Sequence, residues 1–399
     1  TNLVRAGDTI NLLGEFKNVN FTIDKPGMTI TSEGRNARLY NCSVLVMGIN
    51  SSNSTVENLT INNSNFYGTG IHTNVTKNIT IYNNKIHVNG PFAFALAADS
   101  MNNSYVYKNY FETSTREDTF RTHTAAAFGS CYYNLIKNNT VVSDYANGIY
   151  FSVYGSGKFL GGYCYDNNVT GNDVTGGDTS WSYTIQIMGT RNIIDNNRVR
   201  GGYRGISTQD FTNNTIINND VNGTNEGIYA CEGAIVLNNS VRVNGSTTGI
   251  TVGGDGVLLE GNYISSNNGS CVVISANNVT IKDNTMWSTD SYCIYSKGKY
   301  TQINITGNDM RSKKAGILFR KQSTTKRINH VSVTKNRIQS YGDCAIDFTE
   351  AGALNPADVN ITVADSNALN CSAGSGLEKA YLPPAAGSSE NTSDSNKTY

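Results

Sequence analysis

The chain has 399 residues and no net charge, because 31 Lys and Arg balance 31 Asp and Glu. This balance excludes a protein that holds nucleic acid or an anionic membrane through a strong overall field. No run reaches the roughly 18 apolar residues of a membrane span, so no span is predicted. Pro is rare, with 5 residues, while Asn, Thr, Ser and Gly are abundant. This composition predicts short strands joined by tight turns.

Strand pattern begins almost at the first residue, with Gly7-Asp-Thr-Ile-Asn-Leu-Leu-Gly-Glu-Phe. An alternating stretch that ends in Asn, followed closely by an apolar residue, then recurs along the chain. It occurs at residues 79–86, 193–199, 234–241, 279–286 and 331–338. Strict alternation places the Ile and Val side chains on one face. We expect the repeated Asn to form a ladder, since Asn tolerates positive φ and its amide can bond to the Asn of the next turn.

A second mark sets the period: a small residue or Cys followed by an apolar residue. It occurs at Gly205, Gly227, Gly249, Cys271, Cys293 and Gly316, in steps of 22, 22, 22, 22 and 23 residues. Such a unit is one turn of a parallel β-helix. We predict an all-β, right-handed solenoid of about 12 to 13 turns and about 22 residues per turn over residues 1–373. A polar linker or extended arm is predicted over residues 374–399.

Longer turns mark loops near residues 112–123, 154–178 and 322–330. The first loop carries the richest set of reactive side chains, namely Glu112, Arg116, Glu117, Asp118, Arg121 and His123. Polysaccharide lyases and hydrolases of this fold need converging carboxylates and a base. If the protein is an enzyme, Asp118, Arg121 and His123 are therefore the candidate catalytic residues. A solvated, self-paired loop is favoured, because the signatures Asn-Thr-Asp, Asp-Asp and Gly-His-Gly are absent.

Two groups of residues are candidate binding surfaces. Tyr145, Tyr150 and Trp181 follow the charged loop on later turns and could contact a glycan. The basic stretch from residue 311 to residue 337 contains no acidic residue and includes Arg311, Lys313, Lys314, Arg320 and Lys321. It is a candidate docking face for an acidic wall polymer or an acidic neighbouring subunit, with a plain solvated face as the alternative.

No metal site or cofactor is predicted. The four His, at positions 72, 87, 123 and 330, share no turn register, and no CxxC pair occurs. Disulfides are favoured over free thiols for the eight Cys. Cys271 and Cys293 occupy the same position of successive units and form the one specific predicted pair. The partners of the remaining six stay open, at Cys42, Cys131, Cys164, Cys231, Cys344 and Cys371.

Asn-x-Ser/Thr sequons are frequent and permit glycosylation outside the cell. We expect some of them to be used, among Asn58, Asn78, Asn138, Asn168, Asn238, Asn278, Asn304 and Asn360. An Asn- and Thr-rich chain also generates sequons by chance.

The phrases Ala6-Gly-Asp-Thr-Ile-Asn-Leu and Met28-Thr-Ile-Thr-Ser-Glu-Gly, with the Asn-x-Thr-Ile units at 58–63 and 78–84, resemble β-helix surface proteins of methanogenic archaea. That group includes adhesin-like proteins and proteins of the sheath or surface layer. The resemblance extends to about Cys371 and rests on motifs of the fold, not of an active site. It implies an extracellular, disulfide-stabilised and glycosylated envelope protein.

The leading hypothesis is a non-enzymatic structural protein of the cell envelope, a sheath or surface layer that self-assembles through the ends and sides of its solenoid. The partners would then be further copies of the chain and cell-wall or host glycans, with no nucleic acid and no membrane span. The alternatives are an adhesin-like glycan-binding protein and a polysaccharide lyase or hydrolase of the pectate-lyase-like fold.

Overall fold

The computed structural model describes residues 4–114, 124–154, 159–177, 182–223, 225–245, 247–298, 301–320, 329–349, 361–376, 381–382, 391–393 and 396–398. These residues form two compact units, 1–214 and 215–399. Each unit consists of parallel strands that recur in the order sheet A, sheet B, sheet C, so that one A–B–C set is one turn. The predicted right-handed parallel β-helix is confirmed.

In unit 1 the strands of sheet A are Thr9–Asn11, Thr29–Thr31, Thr55–Glu57, Thr80–Tyr82, Tyr105–Tyr107, Leu135–Lys137, Asn168–Thr170 and Ile193–Asp195. Those of sheet B are Glu15–Lys17, Arg38–Tyr40, Thr60–Asn63, Lys85–Val88, Tyr110–Thr113, Thr140–Ser143, Asp173–Gly176 and Arg198–Gly201. Those of sheet C are Asn20–Ile23, Ser43–Met47, Thr69–Lys77, Phe94–Asn102, Thr124–Gly129, Asn147–Phe151, Tyr183–Ile187 and Arg204–Ser207. Two short strands, Cys164–Tyr165 and Gly189–Thr190, pair beside sheet C, and 3₁₀ turns occur at Glu33–Arg35 and Ile49–Ser51.

In unit 2 sheet A contains Thr215–Ile217, Ile235–Leu237, Leu258–Glu260, Val279–Lys282, Thr301–Thr306, Asn329–Thr334 and Ile361–Ala364, with antiparallel additions at Asn391–Ser393 and Asn396–Thr398. Sheet B contains Asp220–Gly223, Ser240–Val243, Tyr263–Ser266, Thr285–Ser288, Asp309–Ser312, Arg337–Ser340 and Ala368–Cys371, with Gly374–Ser375 antiparallel to the last. Sheet C contains Glu226–Ala230, Thr248–Val252, Ser270–Ile274, Ile294–Lys297, Ile317–Arg320, Ile346–Asp347 and Tyr381–Leu382.

The turn length varies, and it averages about 25 residues. The 22-residue step holds in sheet C of unit 2, where Ile250 lies opposite Val272 and Val272 opposite Ile294. Turns in unit 1 are longer. Tyr105 pairs with Leu135, 30 residues on, and Leu135 with Asn168, a further 33 on. The extra residues fall where the sequence predicts loops after residues 112 and 154.

The small residue of the 22-residue mark has a steric cause. A Cβ built on Gly249 would lie 2.5 Å from Cγ2 of Ile264 in sheet B and 2.6 Å from the carbonyl oxygen of Cys271. Gly227 and Gly316 meet Val241 and Ile338 in the same way. Only a small side chain fits where sheet C approaches the apolar residues of sheet B.

We expect Gly249→Val to lower the free energy of unfolding by about 2 to 3 kcal/mol, because a close-packed interior cannot absorb the added side chain. Urea titration followed by circular dichroism measures the change. Thr285→Val, on the exposed face of sheet B, is the matched control and should change stability by less than about 0.5 kcal/mol. Equal stability of the two variants would contradict this steric explanation.

The predicted Asn ladder exists inside both units. In unit 2 the side-chain amide of each Asn donates to Oδ1 of the next Asn at 2.9–3.1 Å, along Asn219, Asn239, Asn262, Asn284, Asn308, Asn336 and Asn367. In unit 1 two ladders run along Asn84, Asn109, Asn139, Asn172 and Asn197, and along Asn134, Asn167, Asn192 and Asn214. All these side chains are buried.

Positive φ and ladder bonding belong to two adjacent residues, not to one Asn. The residue before a ladder Asn adopts φ near +55°, as in Asn218, Asn238 and Asp283, and turns the chain. The following Asn points inward and forms the ladder. The Asn-Asn pairs of the sequence therefore combine two different roles.

Candidate functional site

The outer face of sheet B in unit 2 carries an aromatic and basic surface. Along each strand the apolar residue points inward, so the alternate positions face solvent. Successive turns stack these outer residues into two columns. The first column contains Tyr263, Thr285, Asp309 and Arg337, and the second contains Arg242, Ser265, Trp287, Arg311 and Gln339.

Trp287 is the largest side chain on this face. Its neighbour Met286 is buried in the core, so alternation turns the indole outward and leaves 52% of the residue exposed. Trp287 lies directly opposite Arg311 of the next turn. Adjacent parallel strands are about 4.8 Å apart, so the indole and the guanidinium group share one small area of surface.

Arg311 and Arg337 differ from the other basic residues near this face. Arg242 pairs with Asp220 at 2.8 Å, Lys282 with Glu260 at 2.9 Å and Lys313 with Asp290 at 2.8 Å. Within the residues that the structure describes, the side chains of Arg311 and Arg337 have no carboxylate within 4.0 Å. Their planar groups are thus open to an external anion, and guanidinium matches the geometry of a carboxylate.

A shallow cavity of about 340 Å³ adjoins this surface and is lined by Arg337, Gln339, Ala368 and Asn370, among others. The amide of Gln339 donates to the hydroxyl of Tyr341 at 3.5 Å, and Tyr341 is 66% exposed. The surface around Trp287 thus combines exposed rings, amide groups and two guanidinium groups. This combination suits a sugar polymer that carries acidic groups.

The predicted docking face is divided by the fold. Arg311 lies on the outer face of sheet B, but Lys313 and Lys314 follow the end of its strand. Lys313 is paired with Asp290, and Lys314 lies 5.2 Å from the centre of the Tyr292 ring. Arg320 ends a strand of sheet C, and Lys321 lies outside the described residues. The prediction of one continuous face is corrected, because the chain turns a corner after residue 312.

The candidate glycan contacts in unit 1 do not form one surface. Tyr145 is partly exposed directly after the strand Thr140–Ser143. Tyr150 is only 2% exposed, and its hydroxyl contacts Sδ of Met188. Its proposed role in glycan contact is therefore wrong, because the ring is covered. Trp181 and the candidate catalytic residues Asp118, Arg121 and His123 lie outside the described residues.

All eight Cys are buried as free thiols in this structure. Cys271 and Cys293 do lie in successive turns, and burial followed by contact with Cys293 raises the pKa of the Cys271 thiol. Cys131 and Cys164 form a second neighbouring pair, with the Cys131 amide donating to Sγ of Cys164 at 3.4 Å. The Cys271–Cys293 disulfide stays a prediction.

The predicted sequons differ in accessibility. Asn78, Asn138, Asn238, Asn278 and Asn304 are exposed, whereas Asn58 and Asn168 are half-buried. Asn360 lies outside the described residues. Five of the eight positions therefore present the side chain that a glycan requires, and their use stays a prediction.

Trp287 was not among the residues singled out in the sequence, although the sequence contains the signal. In Thr285-Met286-Trp287-Ser288 the inward position falls on Met286, so strict alternation already turns Trp287 outward.

In the described part of the chain no three His, Cys, Asp or Glu side chains gather in a way that could hold a metal ion. No helix there has the length and apolarity to cross a bilayer.

Comparison with known proteins places the chain among right-handed β-helices. Its fold is similar to that of the Streptococcus pneumoniae surface protein and adhesin PfbA, with 11% identity, 82% of this chain and 91% of that chain covered, and a TM-score of 0.46. It is similar to a tailspike protein of E. coli bacteriophage HK620 in complex with a pentasaccharide, at 11% identity, 84% and 74% coverage and a TM-score of 0.47.

The A-module of the Azotobacter vinelandii mannuronan C-5 epimerase AlgE6 matches at 11% identity, 95% and 91% coverage and a TM-score of 0.37. These three likenesses concern the fold alone. No curated protein sequence matches the chain. Residues 215–368 match the sequence model of the family described as "Right handed beta helix region".

Proposed function

We propose that the protein is a cell-surface protein that binds acidic polysaccharide through the outer face of sheet B in unit 2. The observation that carries the proposal is the exposed Trp287 in register with Arg311, an arginine without a carboxylate partner among the described residues. An indole face packs against the apolar C–H face of a pyranose ring. The guanidinium groups of Arg311 and Arg337 bind the carboxylates of the polymer.

Location outside the cell agrees with the exposed sequons at Asn78, Asn138 and Asn238. Polysaccharide binding requires no catalytic group and no cofactor. Self-assembly into a sheath or surface layer, which the sequence favours, stays a prediction separate from this site.

The test is affinity electrophoresis and calorimetry with polygalacturonate, with dextran as the neutral polymer. We expect binding of polygalacturonate that weakens as salt is added, and little binding of dextran. Replacing both arginines, Arg311→Gln with Arg337→Gln, should weaken binding of polygalacturonate about tenfold or more, because each lost guanidinium–carboxylate pair contributes about 1 kcal/mol.

The matched control removes the same two charges elsewhere, with Lys137→Gln and Lys282→Gln, and should leave affinity almost unchanged. Equal losses in the two double variants would show a non-specific charge effect and overturn the site. Equal affinity for dextran and polygalacturonate would overturn the acidic ligand.

A further inference from the structure

Three polar side chains in unit 1 form a hydrogen-bonded chain on the outer face of sheet B. His87 and Glu112 lie directly opposite each other on adjacent turns, in the strands Lys85–Val88 and Tyr110–Thr113. Nδ1 of His87 lies 3.1 Å from Oε2 of Glu112. Nε2 of His87 lies 3.4 Å from Oγ of Ser114. With Nδ1–H donating to the carboxylate, Nε2 is left as an acceptor for the Ser114 hydroxyl.

The order hydroxyl, imidazole, carboxylate is the arrangement of a serine nucleophile, its general base and an orienting acid. The Ser114–His87 distance is longer than an ideal hydrogen bond, as is common before a substrate is bound. His87 and Glu112 side chains are 29% and 27% exposed, so the group is reached by solvent while its charges are partly shielded. Glycan binding at Trp287 gives this second group of residues no role.

Neighbouring side chains hold the carboxylate in place. Burial, followed by the negative charges of Glu112 and Asp144, raises the pKa of the Tyr110 phenol. Tyr110 therefore stays protonated at neutral pH and serves as a donor to Glu112. The Lys85 ammonium lies 5.7 Å from the centre of the Tyr110 ring and adds a positive charge to this face.

An aromatic cluster lies at the same edge of sheet B, in the connections of the two preceding turns. Phe66, Tyr67 and Phe92 pack with ring centres 4.4–5.3 Å apart, and Phe66 is 58% exposed. Tyr67 and Phe92 both have φ of +55°, where a bulky side chain is unfavourable. Backbone strain of this kind persists when the surroundings impose it and is frequent at ligand sites. The exposed rings suit a sugar.

We propose that Ser114, His87 and Glu112 form an esterase site that removes an acyl group from a hydroxyl of a saccharide. Oγ of Ser114 attacks the ester carbonyl while Nε2 of His87 takes the hydroxyl proton. The tetrahedral adduct collapses, the C–O bond to the sugar breaks, and His87 returns the proton to the leaving sugar oxygen. Water, deprotonated by His87, then hydrolyses the acyl-serine to the free carboxylic acid and restores Ser114. Glu112 is a positioning residue. This activity departs from the non-enzymatic role that the sequence favours.

The first experiment treats the full chain with a fluorophosphonate, which phosphonylates activated serines, and maps the adduct by mass spectrometry. We expect one adduct, on Ser114, and p-nitrophenyl acetate hydrolysis that is lost with it. Ser114→Ala should abolish both, and His87→Gln should slow both by 100-fold or more. Ser64→Ala is the matched control, since Ser64 directly follows its sheet B strand as Ser114 does, and should change neither. Absence of an adduct in the wild-type chain, or hydrolysis that persists in Ser114→Ala, would overturn the site.

The second experiment separates positioning and substrate class. Glu112→Gln should lower kcat about tenfold or more while KM and the melting temperature stay unchanged, whereas a merely structural role would change the melting temperature and leave kcat intact. Phe66→Ala should raise KM for glucose pentaacetate and leave KM for p-nitrophenyl acetate unchanged. An unchanged KM for both esters would overturn the saccharide substrate.

Discussion

Replacing the ladder residue Asn262 with Ala should lower the free energy of unfolding by about 3 kcal/mol or more. The Asn262 amide donates to the carbonyl of Val236 and to Oδ1 of Asn284, both at 2.9 Å. Its Oδ1 accepts from the backbone and side-chain amides of Asn239, at 2.9 and 3.0 Å. The substitution leaves these partners buried without water, and each unsatisfied group costs about 1–3 kcal/mol.

Urea titration of the full chain, followed by circular dichroism, measures this effect. Asn304→Ala is the control, because Asn304 is an exposed Asn on an outward position of sheet A, and it should shift stability by less than about 0.5 kcal/mol. If Asn262→Ala were no more destabilising than Asn304→Ala, the ladder would not stabilise the turns as described.

The second large effect is expected at Trp287. Trp287→Ala should weaken binding of polygalacturonate about 30-fold, because a central aromatic contact typically contributes about 2 kcal/mol. Stability should be nearly unchanged, since the indole lies outside the core. Calorimetry measures the affinity, and thermal unfolding checks the fold.

Two controls sharpen this prediction. Trp287→Phe keeps an aromatic face and should stay within about fivefold of wild-type affinity. Tyr105→Ala removes an equally exposed ring of unit 1, 53% exposed against 52% for Trp287, and should leave affinity unchanged. A Tyr105→Ala variant as weak as Trp287→Ala would mean that exposed rings bind the polymer without preference for the proposed site.

The sequence predicts the fold class because one alternating pattern specifies each turn. Ile and Val at alternate positions, a small residue such as Gly249 and the Asn of the ladder all recur with the turn. The period was underestimated in unit 1, where 25 residues separate Thr80 from Tyr105 and 33 separate Leu135 from Asn168. The 22-residue mark is clearest in unit 2, and the longer turns add residues between strands without altering the strand pattern.

The candidate sites were harder to predict because they depend on register between turns. His87 and Glu112 are 25 residues apart, a pairing that a 22-residue step cannot show. Tyr150 was chosen as an aromatic residue of a later turn, but its neighbours cover it. Lys313 and Arg311 are close in sequence, yet the end of a strand separates their surroundings. The alternation that turns Trp287 outward is local, so Trp287 was within reach of sequence reasoning.

Fluorescence offers the most direct test of acidic polysaccharide binding, because the chain contains only two Trp, at positions 181 and 287. In a Trp181→Phe variant, all Trp emission comes from Trp287. We expect its emission to shift to shorter wavelength and to saturate as oligogalacturonate is added, since a sugar ring would displace water from the indole. No change in that variant, or an equal change in a Trp287→Phe variant, would contradict the proposed site.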